Sequence, residues 1–251
     1  REFVFVDENS LLISEVDSVI RSLEITNEEP ITATSANISV EELKQRAKSY
    51  HSAQGRAVTK QDYESLVYNM PASFGAVKRA NIINDASKND RKIRMFVISE
   101  DSEEKLSYTS GVVKNNIKNW LKHYKSLNDN IEIEDAKIVN FSVDFKIVTD
   151  RRYSSDEVLF GCIQKLKNYF NMKYYIGEPL YLTRIYDELN SIDGVVDVKR
   201  VSVDNKVSGV YSILPFNFYN ALSGDGTYYK IPKNVILELK YPDLDIKGTA
   251  I

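Results

Sequence analysis

The sequence predicts an α+β fold with two small domains, each a sheet with helices, between β-rich N- and C-terminal segments. Residues 59–126 show the patterns of a helix, two strands and a helix. Residues 135–204 show a strand, two helices and a strand, and residues 205–251 show short strands separated by turn residues. The predicted divisions are a β-rich segment plus a helix that ends a preceding domain, two α+β domains, and a self-associating β-rich tail: 1–54, 55–134, 135–204 and 205–251.

Composition limits the classes of function. The chain has 251 residues, of which 43% are hydrophobic and 27% charged, as in ordinary folded proteins. Its 33 basic and 36 acidic side chains give a net charge of −3, so charge gives no reason to expect nucleic acid. No apolar run reaches the roughly 18 residues of a membrane span. The chain begins Arg1-Glu2-Phe3 without methionine, so we expect a C-terminal fragment of a longer protein.

The N-terminal region predicts strands that lead into a helix. Residues 3–6 and 16–25 are rich in β-branched and apolar residues, which favours strands. A helix is expected over 40–50, and Ser39 and Glu42 before it have the S-x-x-E spacing of a capping box. In that motif the hydroxyl accepts from a free N–H of the first turn, and the carboxylate accepts from the cap residue.

The next helix is expected over 60–69 and repeats the capping pattern. Thr59 and Asp62 have the weaker T-x-x-D spacing. Gly55 is expected at a turn in the short connection, and Arg56 is expected to form an ion pair with Asp62. We interpret these residues as a structural joint without catalytic chemistry: Ser39, Glu42, Gly55, Arg56, Thr59 and Asp62.

Two strands and a helix complete the first predicted domain. Residues 76–83 and 92–99 are expected to pair, with Ile93, Met95 and Val97 on one face of the second strand. A helix is expected over 109–126. Its apolar stripe contains Val112, Val113, Ile117, Trp120, Leu121 and Tyr124.

A charged block lies on this strand pair. Basic residues from Lys78 to Arg94 are followed by acidic residues from Glu100 to Glu104. A solvated hairpin is the plainer interpretation of these opposite blocks, and a subunit-docking patch is the alternative.

The second predicted domain begins with an alternating strand. Apolar residues between Val139 and Ile147 alternate with polar ones, which predicts a half-buried strand. Ser154 and Glu157 have capping-box spacing before a helix that would bury Cys162 as a structural thiol. A shorter helix ending before Gly194, a strand over 195–203, a hairpin turn at 223–226 and a strand over 235–241 follow.

A search for chemical motifs finds no catalytic, metal or cofactor pattern. His51 and His123 have no partner at metal-ligand spacing, which favours solvated surface histidines. Phosphate-binding and nucleophile motifs are missing. Acidic groups at 129–135 and 243–245 do not match the EF-hand loop. A glycosidase-type carboxylate pair stays open, because such pairs are assembled in space.

Aromatic residues crowd the tail. Core packing explains most of them, and a subunit interface is the alternative, because interfaces are enriched in aromatic side chains. The residues that we predict for a subunit interface are Tyr211, Phe216, Phe218 and Tyr219.

Several short motifs resemble those of a known family. Residues 39–47 and 55–63 read SVEELKQRA and GRAVTKQDY, and residues 175–180 and 192–198 read YIGEPL and IDGVVDV. In this order, they resemble the baseplate J-like family of contractile-tail proteins. Residues 228–248, with YYKIPKNVI, KYP and DIKG, look like the C-terminal end of baseplate wedge proteins of T-even-type phages.

The resemblance implies a structural subunit rather than an enzyme. Proteins of this kind build the inner ring of the tail baseplate around the hub, associate with themselves and bind other wedge proteins. It therefore implies a homodimer, a higher ring in the virion, and presence in the host cytoplasm during assembly, without nucleic acid, membrane, metal or cofactor. The alternatives are a tail-associated hydrolase or carbohydrate-processing enzyme, and an α+β adaptor domain of an unrelated machine, such as a secretion system.

Overall fold

The computed structural model describes residues 55–84, 92–101, 105–127, 129–171 and 174–251, together with Val40, Leu43, Lys44, Ala47 and Lys48. These five residues are helical, in agreement with the helix predicted there. The predicted strands over 3–6 and 16–25 lie outside the described residues, as do Ser39, Glu42 and His51. In the described part, no helix is long and apolar enough to cross a membrane.

The first half of the described chain is a four-stranded sheet with helices. Its elements are α1 (Lys60–Tyr68), a 3-10 helix (Ala72–Phe74), β1 (Arg79–Asn84), β2 (Lys92–Glu100), β3 (Leu106–Ser107), α2 (Gly111–Leu121) and β4 (Asn130–Asp135). β2 lies at the centre of the sheet. It pairs antiparallel with β1 and β3 and parallel with β4.

β2 is buried on both faces. Ile93, Met95 and Val97 pack with α1 and α2 in one apolar cluster, as the alternation predicts. On the opposite face, Phe96 and Ile98 are also buried, in a separate cluster. The strand therefore lies between two cores.

α2 confirms the predicted helix but presents a narrower buried face. Val113, Ile117 and Leu121 are buried at four-residue spacing, and they define the face towards the sheet. Val112 is 57% exposed, so its place in the predicted stripe is wrong. One residue corresponds to about 100° of helix rotation, which turns Val112 away from a face centred on Val113.

The second half forms another four-stranded sheet with two main helices. Its elements are β5 (Lys137–Thr149), α3 (Ser155–Phe170), β6 (Leu180–Tyr181), α4 (Leu182–Asn190), β7 (Val195–Lys206), α5 (Phe218–Ala221), β8 (Tyr228–Tyr229), β9 (Val235–Glu238), α6 (Pro242–Asp245) and β10 (Ile246–Ala250). β6 and β8 form a separate two-stranded pair. The predicted α+β class is confirmed.

β5 organises the second sheet. β7 pairs with it antiparallel, and β9 and β10 pair parallel with consecutive stretches of it. The last two strands of the chain are therefore part of this sheet, although the sequence suggested a separate tail segment. The division into domains, as drawn from the sequence, stays a prediction.

The polar positions of β5 differ from the sequence prediction. Asn140 and Ser142 are buried, whereas a half-buried strand would expose them. The tail covers this part of the strand, and the Asn140 side chain bonds both Glu238 and the backbone N–H of Ser212, each at 2.7 Å. The cost of burying the amide is offset because its donor and acceptor are both used.

The predicted capping box at Ser154 is also wrong. Ser154 is the N-cap residue of α3, but its side chain makes no capping hydrogen bond. The first turn of α3 is largely exposed, so water can satisfy its free N–H groups.

The two sheets share an apolar cluster. Its buried members come from both halves of the chain: Phe96, Ile98, Ala136, Ile138, Ile176 and Ile236. Ala136 alone separates β4 from β5, and its N–H donates to the Val97 carbonyl at 2.9 Å. The two sheets are thus joined both by a one-residue connection and by a shared apolar core.

Polar side chains of β1 strengthen this junction. The Asn81 amide donates to the Ile176 and Lys233 carbonyls, both at 3.0 Å. The Arg79 guanidinium lies 4.4 Å from the ring centroid of Tyr175. Arg79 is buried, and Lys78 pairs with Glu100 at 2.9 Å with little exposure of either side chain. For these residues, a solvated hairpin is the wrong interpretation.

Gly177 permits close packing between its own segment and the segment around Lys233, both in the second half of the chain. Its φ is +78°, and a Cβ there would lie 2.9 Å from the Cα of Lys233. Its N–H donates to the Val235 carbonyl at 2.7 Å. A larger residue would meet both backbone strain and steric overlap at this site.

We expect Ile98→Ala to weaken both halves together. The side chain is fully buried in the shared cluster, so truncation should lower the free energy of unfolding by about 2–5 kcal/mol. Urea unfolding followed by tryptophan fluorescence and circular dichroism measures this loss. Val112→Ala is the matched exposed control, and we expect it to change stability by less than about 0.5 kcal/mol. Separate transitions, with only one half weakened, would contradict the shared core.

Candidate interaction surface

The connection into α1 forms the second part of the predicted joint. Gly55 has a φ of +71°, as its predicted turn requires. Ala57 follows in an isolated parallel bridge with Lys125, and its N–H donates to the Tyr124 carbonyl at 2.9 Å. This segment is therefore attached to the end of α2 before α1 begins.

Thr59 and Asp62 form the predicted capping box. The Asp62 N–H donates to Thr59 Oγ1 at 3.2 Å, and the Thr59 N–H donates to Asp62 Oδ2 at 2.8 Å. The Val58 N–H also donates to Asp62 Oδ2, at 3.1 Å. Three of the backbone donors at the helix start are thereby satisfied.

The charge of Asp62 is stabilised by backbone groups. Partial burial raises the pKa of its carboxyl, but the hydrogen bonds from Thr59 and Val58 outweigh burial, and the pKa lies below its ordinary value. Among the described residues, Arg56 forms no ion pair with Asp62, so that hypothesis is wrong. The carboxylate is already engaged by N–H donors.

The tail loop, defined as residues 207–222, lies between β7 and β8 and includes α5. It exposes several large apolar side chains: Val207, Val210, Ile213, Tyr219 and Leu222. Clusters of exposed apolar residues on one segment are typical of protein interaction sites. This loop contains all four residues that the sequence predicted for a subunit interface.

The four predicted residues have different environments. Tyr219 is 86% exposed, whereas Phe218 is 4% exposed and packs against the rings of Phe216 and Tyr229. The Tyr211 hydroxyl donates to Asp245 Oδ1 at 2.7 Å, and burial together with this bond raises the pKa of Tyr211 to about 12. Phe218 and Tyr211 thus anchor the loop to the rest of the chain. Tyr219 makes most of its surface available to a partner.

A first cavity, the edge cavity, lies along β7. It measures about 620 Å³, and one wall is the continuous stretch 200–205 of that strand. The other walls come from the tail loop, including Phe216, Tyr219 and Leu222, and from Tyr229. In the part of the chain that the structure describes, β7 pairs only with β5, so its outer edge faces this cavity.

A second cavity, the inter-sheet cavity, lies on the other side of Pro215. It measures about 650 Å³ and lies between β3, β5 and the tail loop. Its lining residues are Leu106, Ser107, Tyr108, Lys137, Ile138, Asn140, Tyr211, Ser212, Ile213, Leu214, Pro215, Glu238 and Lys240.

A buried polar network borders this second cavity. Glu238 accepts from the Leu106 N–H at 2.6 Å and from Asn140 Nδ2 at 2.7 Å, so its two oxygens join β3 to β5. Burial raises the pKa of Glu238 above its ordinary value, although both hydrogen bonds act in the opposite direction. No prediction from the sequence included this network. Its one signal was a lone acidic residue following the apolar run Val235–Leu237.

The described residues offer little catalytic chemistry. Each cavity contains one carboxylate, Asp204 in the edge cavity and Glu238 in the inter-sheet cavity, whereas glycosidase chemistry needs a pair. No group of three or more potential metal-ligating side chains occurs among them. Burial raises the pKa of the Cys162 thiol to about 11, which keeps it protonated at neutral pH.

Comparison with known proteins gives a likeness of fold. No family model matches the chain, and no curated protein matches it significantly. Solved structures do match, and one of them is the cryo-EM structure of the anti-feeding prophage (AFP) baseplate, 6-fold symmetrised. The TM-score is 0.52 at 13% sequence identity, and the match covers 79% of this chain.

The match covers 41% of the baseplate chain, so our chain spans less than half of its length. At this identity the likeness concerns the fold alone. Membership of the baseplate J-like family, which the short motifs suggested, stays a prediction.

We expect Thr59→Ala to destabilise the chain by about 1 kcal/mol, because it removes the side-chain acceptor of a formed N-cap. Chemical denaturation gives the free energy of unfolding. Ser154→Ala is the matched control, since Ser154 occupies an N-cap without a side-chain bond, and it should change stability little. Equal losses in the two variants would refute the specific role of the Thr59 cap.

Asp62 should make the stability of the chain depend on pH. Because its pKa is lowered in the folded state, its contribution is present above the unfolded pKa of about 3.9 and is lost as pH falls through the folded value. The difference in melting temperature between the wild type and Asp62→Asn should therefore shrink as pH falls from 6 to 2. Thermal melts across that range measure it, and a difference that stays constant or grows would contradict this assignment.

Proposed function

We propose that the chain is a structural subunit of a contractile-tail baseplate. The observation that carries this proposal is the fold likeness to the AFP baseplate over 79% of the chain. The ordered motifs at 39–63 and 175–198 support the finer proposal of a wedge subunit of the baseplate J-like family. In that role it would join other wedge proteins in the inner ring around the hub, in the virion tail and, during assembly, in the host cytoplasm.

The described structure fits a framework role. The sheets share a buried cluster, and Asn81 and Arg79 add polar contacts across the junction. A subunit that transmits force between neighbours needs such a junction, because each half must hold its orientation to the other. We infer no enzymatic activity and no nucleic-acid, membrane, metal or cofactor partner. Neither cavity brings together the two carboxylates that the hydrolase alternative needs.

We propose that the chain forms a homodimer through the outer side of the tail loop. Tyr219 and Leu222 are exposed beside the edge cavity. The neighbouring Phe218 is buried and anchors this part of the loop in the core. In a two-fold contact, the same surface on both copies must be self-complementary. An exposed tyrosine beside a cavity of mixed polar and apolar lining meets that condition, because each ring can enter the partner's edge cavity and pack against Phe216 and Leu222.

Electron microscopy with antibodies raised against the chain tests the structural role. Contractile particles from the source should be labelled at the baseplate end of the tail. Labelling along the tube, or of free protein only, would contradict the proposal. This experiment does not depend on the oligomeric state of the isolated chain.

Sedimentation velocity tests the proposed dimer. The wild-type chain should sediment as a dimer of the 28.7 kDa subunit, and Tyr219→Asp should shift it to monomer by placing a charge in the apolar contact. Leu127→Asp is the matched control, because Leu127 is 96% exposed and lies between α2 and β4, in the first half of the described chain. A wild-type monomer at high concentration, or equal effects of both variants, would reject this interface.

A further inference from the structure

The inter-sheet cavity has the size and lining of a binding site. Its volume of about 650 Å³ lies within the range of about 300–1,000 Å³ that is typical of ligand pockets. Leu106, Ile138 and Leu214 supply apolar lining, and Tyr108 and Ile213 lie at exposed positions beside them. Ile213 is 90% exposed, so apolar surface continues out of the cavity onto the tail loop.

The charge of the lining favours an acidic occupant. Lys137 and Lys240 both line the cavity, and within the described ranges neither forms an ion pair with a carboxylate. The Lys240 ammonium donates to the Val210 carbonyl, a neutral acceptor, at 2.5 Å. Glu238, the one carboxylate of the lining, interacts electrostatically with Lys240, so the lining carries two cations against one carboxylate.

A buried hydroxyl adds a second, independent feature. Ser212 lines the cavity, and its buried Oγ has no hydrogen-bond partner in the part of the chain that the structure describes. Buried polar atoms are normally paired, and each exception requires a physical reason. After rotation of the Ser212 side chain towards the cavity, this hydroxyl would donate a hydrogen bond to a carboxylate held there, and that carboxylate would also face the two lysines.

We propose that the inter-sheet cavity binds an extended segment of another polypeptide. This segment has a large apolar side chain, which enters the cavity, next to an aspartate or glutamate. The apolar surface at Ile213 and Tyr108 extends beyond the cavity and would cover residues that flank the anchor, which favours a polypeptide over a free small anion. The site lies apart from Tyr219 and Leu222, which form the proposed dimer contact, so a second partner can bind while the chain self-associates.

Methyl NMR on the full chain with defined peptides tests the proposal. The probe is the capped peptide acetyl-Ser-Asp-Phe-Glu-Ser-amide, and its counterpart acetyl-Ser-Lys-Phe-Lys-Ser-amide has the opposite charge. The acidic peptide should shift the methyl signals of Leu106, Ile138, Ile213 and Leu214. The basic peptide should bind at least about fivefold more weakly, and a peptide with serine in place of phenylalanine should not bind.

Variants separate the contributions of charge and of the hydroxyl. Lys137→Gln with Lys240→Gln should bring the affinity for the acidic peptide to that for the basic one, whereas Lys118→Gln, an exposed lysine of α2, should leave it unchanged. Ser212→Ala should weaken the acidic peptide about threefold without lowering stability, because it removes a hydroxyl that has no partner.

Three results would overturn the proposal. The first is no methyl shift with the acidic peptide at millimolar concentration, and the second is shifts spread over methyls remote from the cavity. The third is tight binding of decanoate without binding of the peptide, which would assign the cavity to a free amphipathic anion. Because the peptides bind the isolated chain, none of these results bears on the baseplate role.

Discussion

The structure depends on the burial of β5. This 13-residue strand pairs with three others, β7, β9 and β10, and its side chains form the centre of the larger core. β9 and β10 are the last two strands of the chain, so the second sheet is complete only when the C-terminal residues have been placed. Parallel pairing over such a distance in sequence requires loop closure before the strands can contact each other. The tail is therefore part of the fold of this sheet.

The position of β5 also determines the relation between the sheets. β4 runs into β5 after Ala136 alone, so the direction of one strand fixes the direction of the next. The cluster around Ile98 and Ile236 then fills the space between the sheets. Glu238 on β9 adds a polar contact between the sheets, because its carboxylate accepts a hydrogen bond from the Leu106 N–H of β3. A load applied to one sheet would reach the other through covalent, apolar and polar contacts together.

The tail loop has fixed inner residues and exposed outer residues. Its inner residues are fixed, since Phe218 lies in the core and Tyr211 bonds the buried Asp245. Its outer residues, Ile213 and Tyr219, are almost fully exposed on opposite sides of Pro215. Rigid support lowers the entropy lost when exposed side chains are ordered by a partner. This arrangement suits a subunit with more than one neighbour.

The sequence by itself determined the elements and their local signals. Alternation predicted β2 and β5, helical spacing predicted α2 and α3, and the Thr59–Asp62 capping box formed as expected, since these features depend on near neighbours. Tertiary structure alone decided which polar residues are buried. From the sequence, Asn140, Ser142 and Glu238 would be expected at the surface, but the tail covers this part of β5. Phe218 and Tyr219 are equivalent in sequence, but in α5 the Phe218 ring is buried and the Tyr219 ring is exposed. The burial of Asn140 and Glu238 depends on hydrogen bonds between residues more than 60 positions apart, and the Phe218 ring also packs against the distant Phe141 of β5, which no local pattern contains.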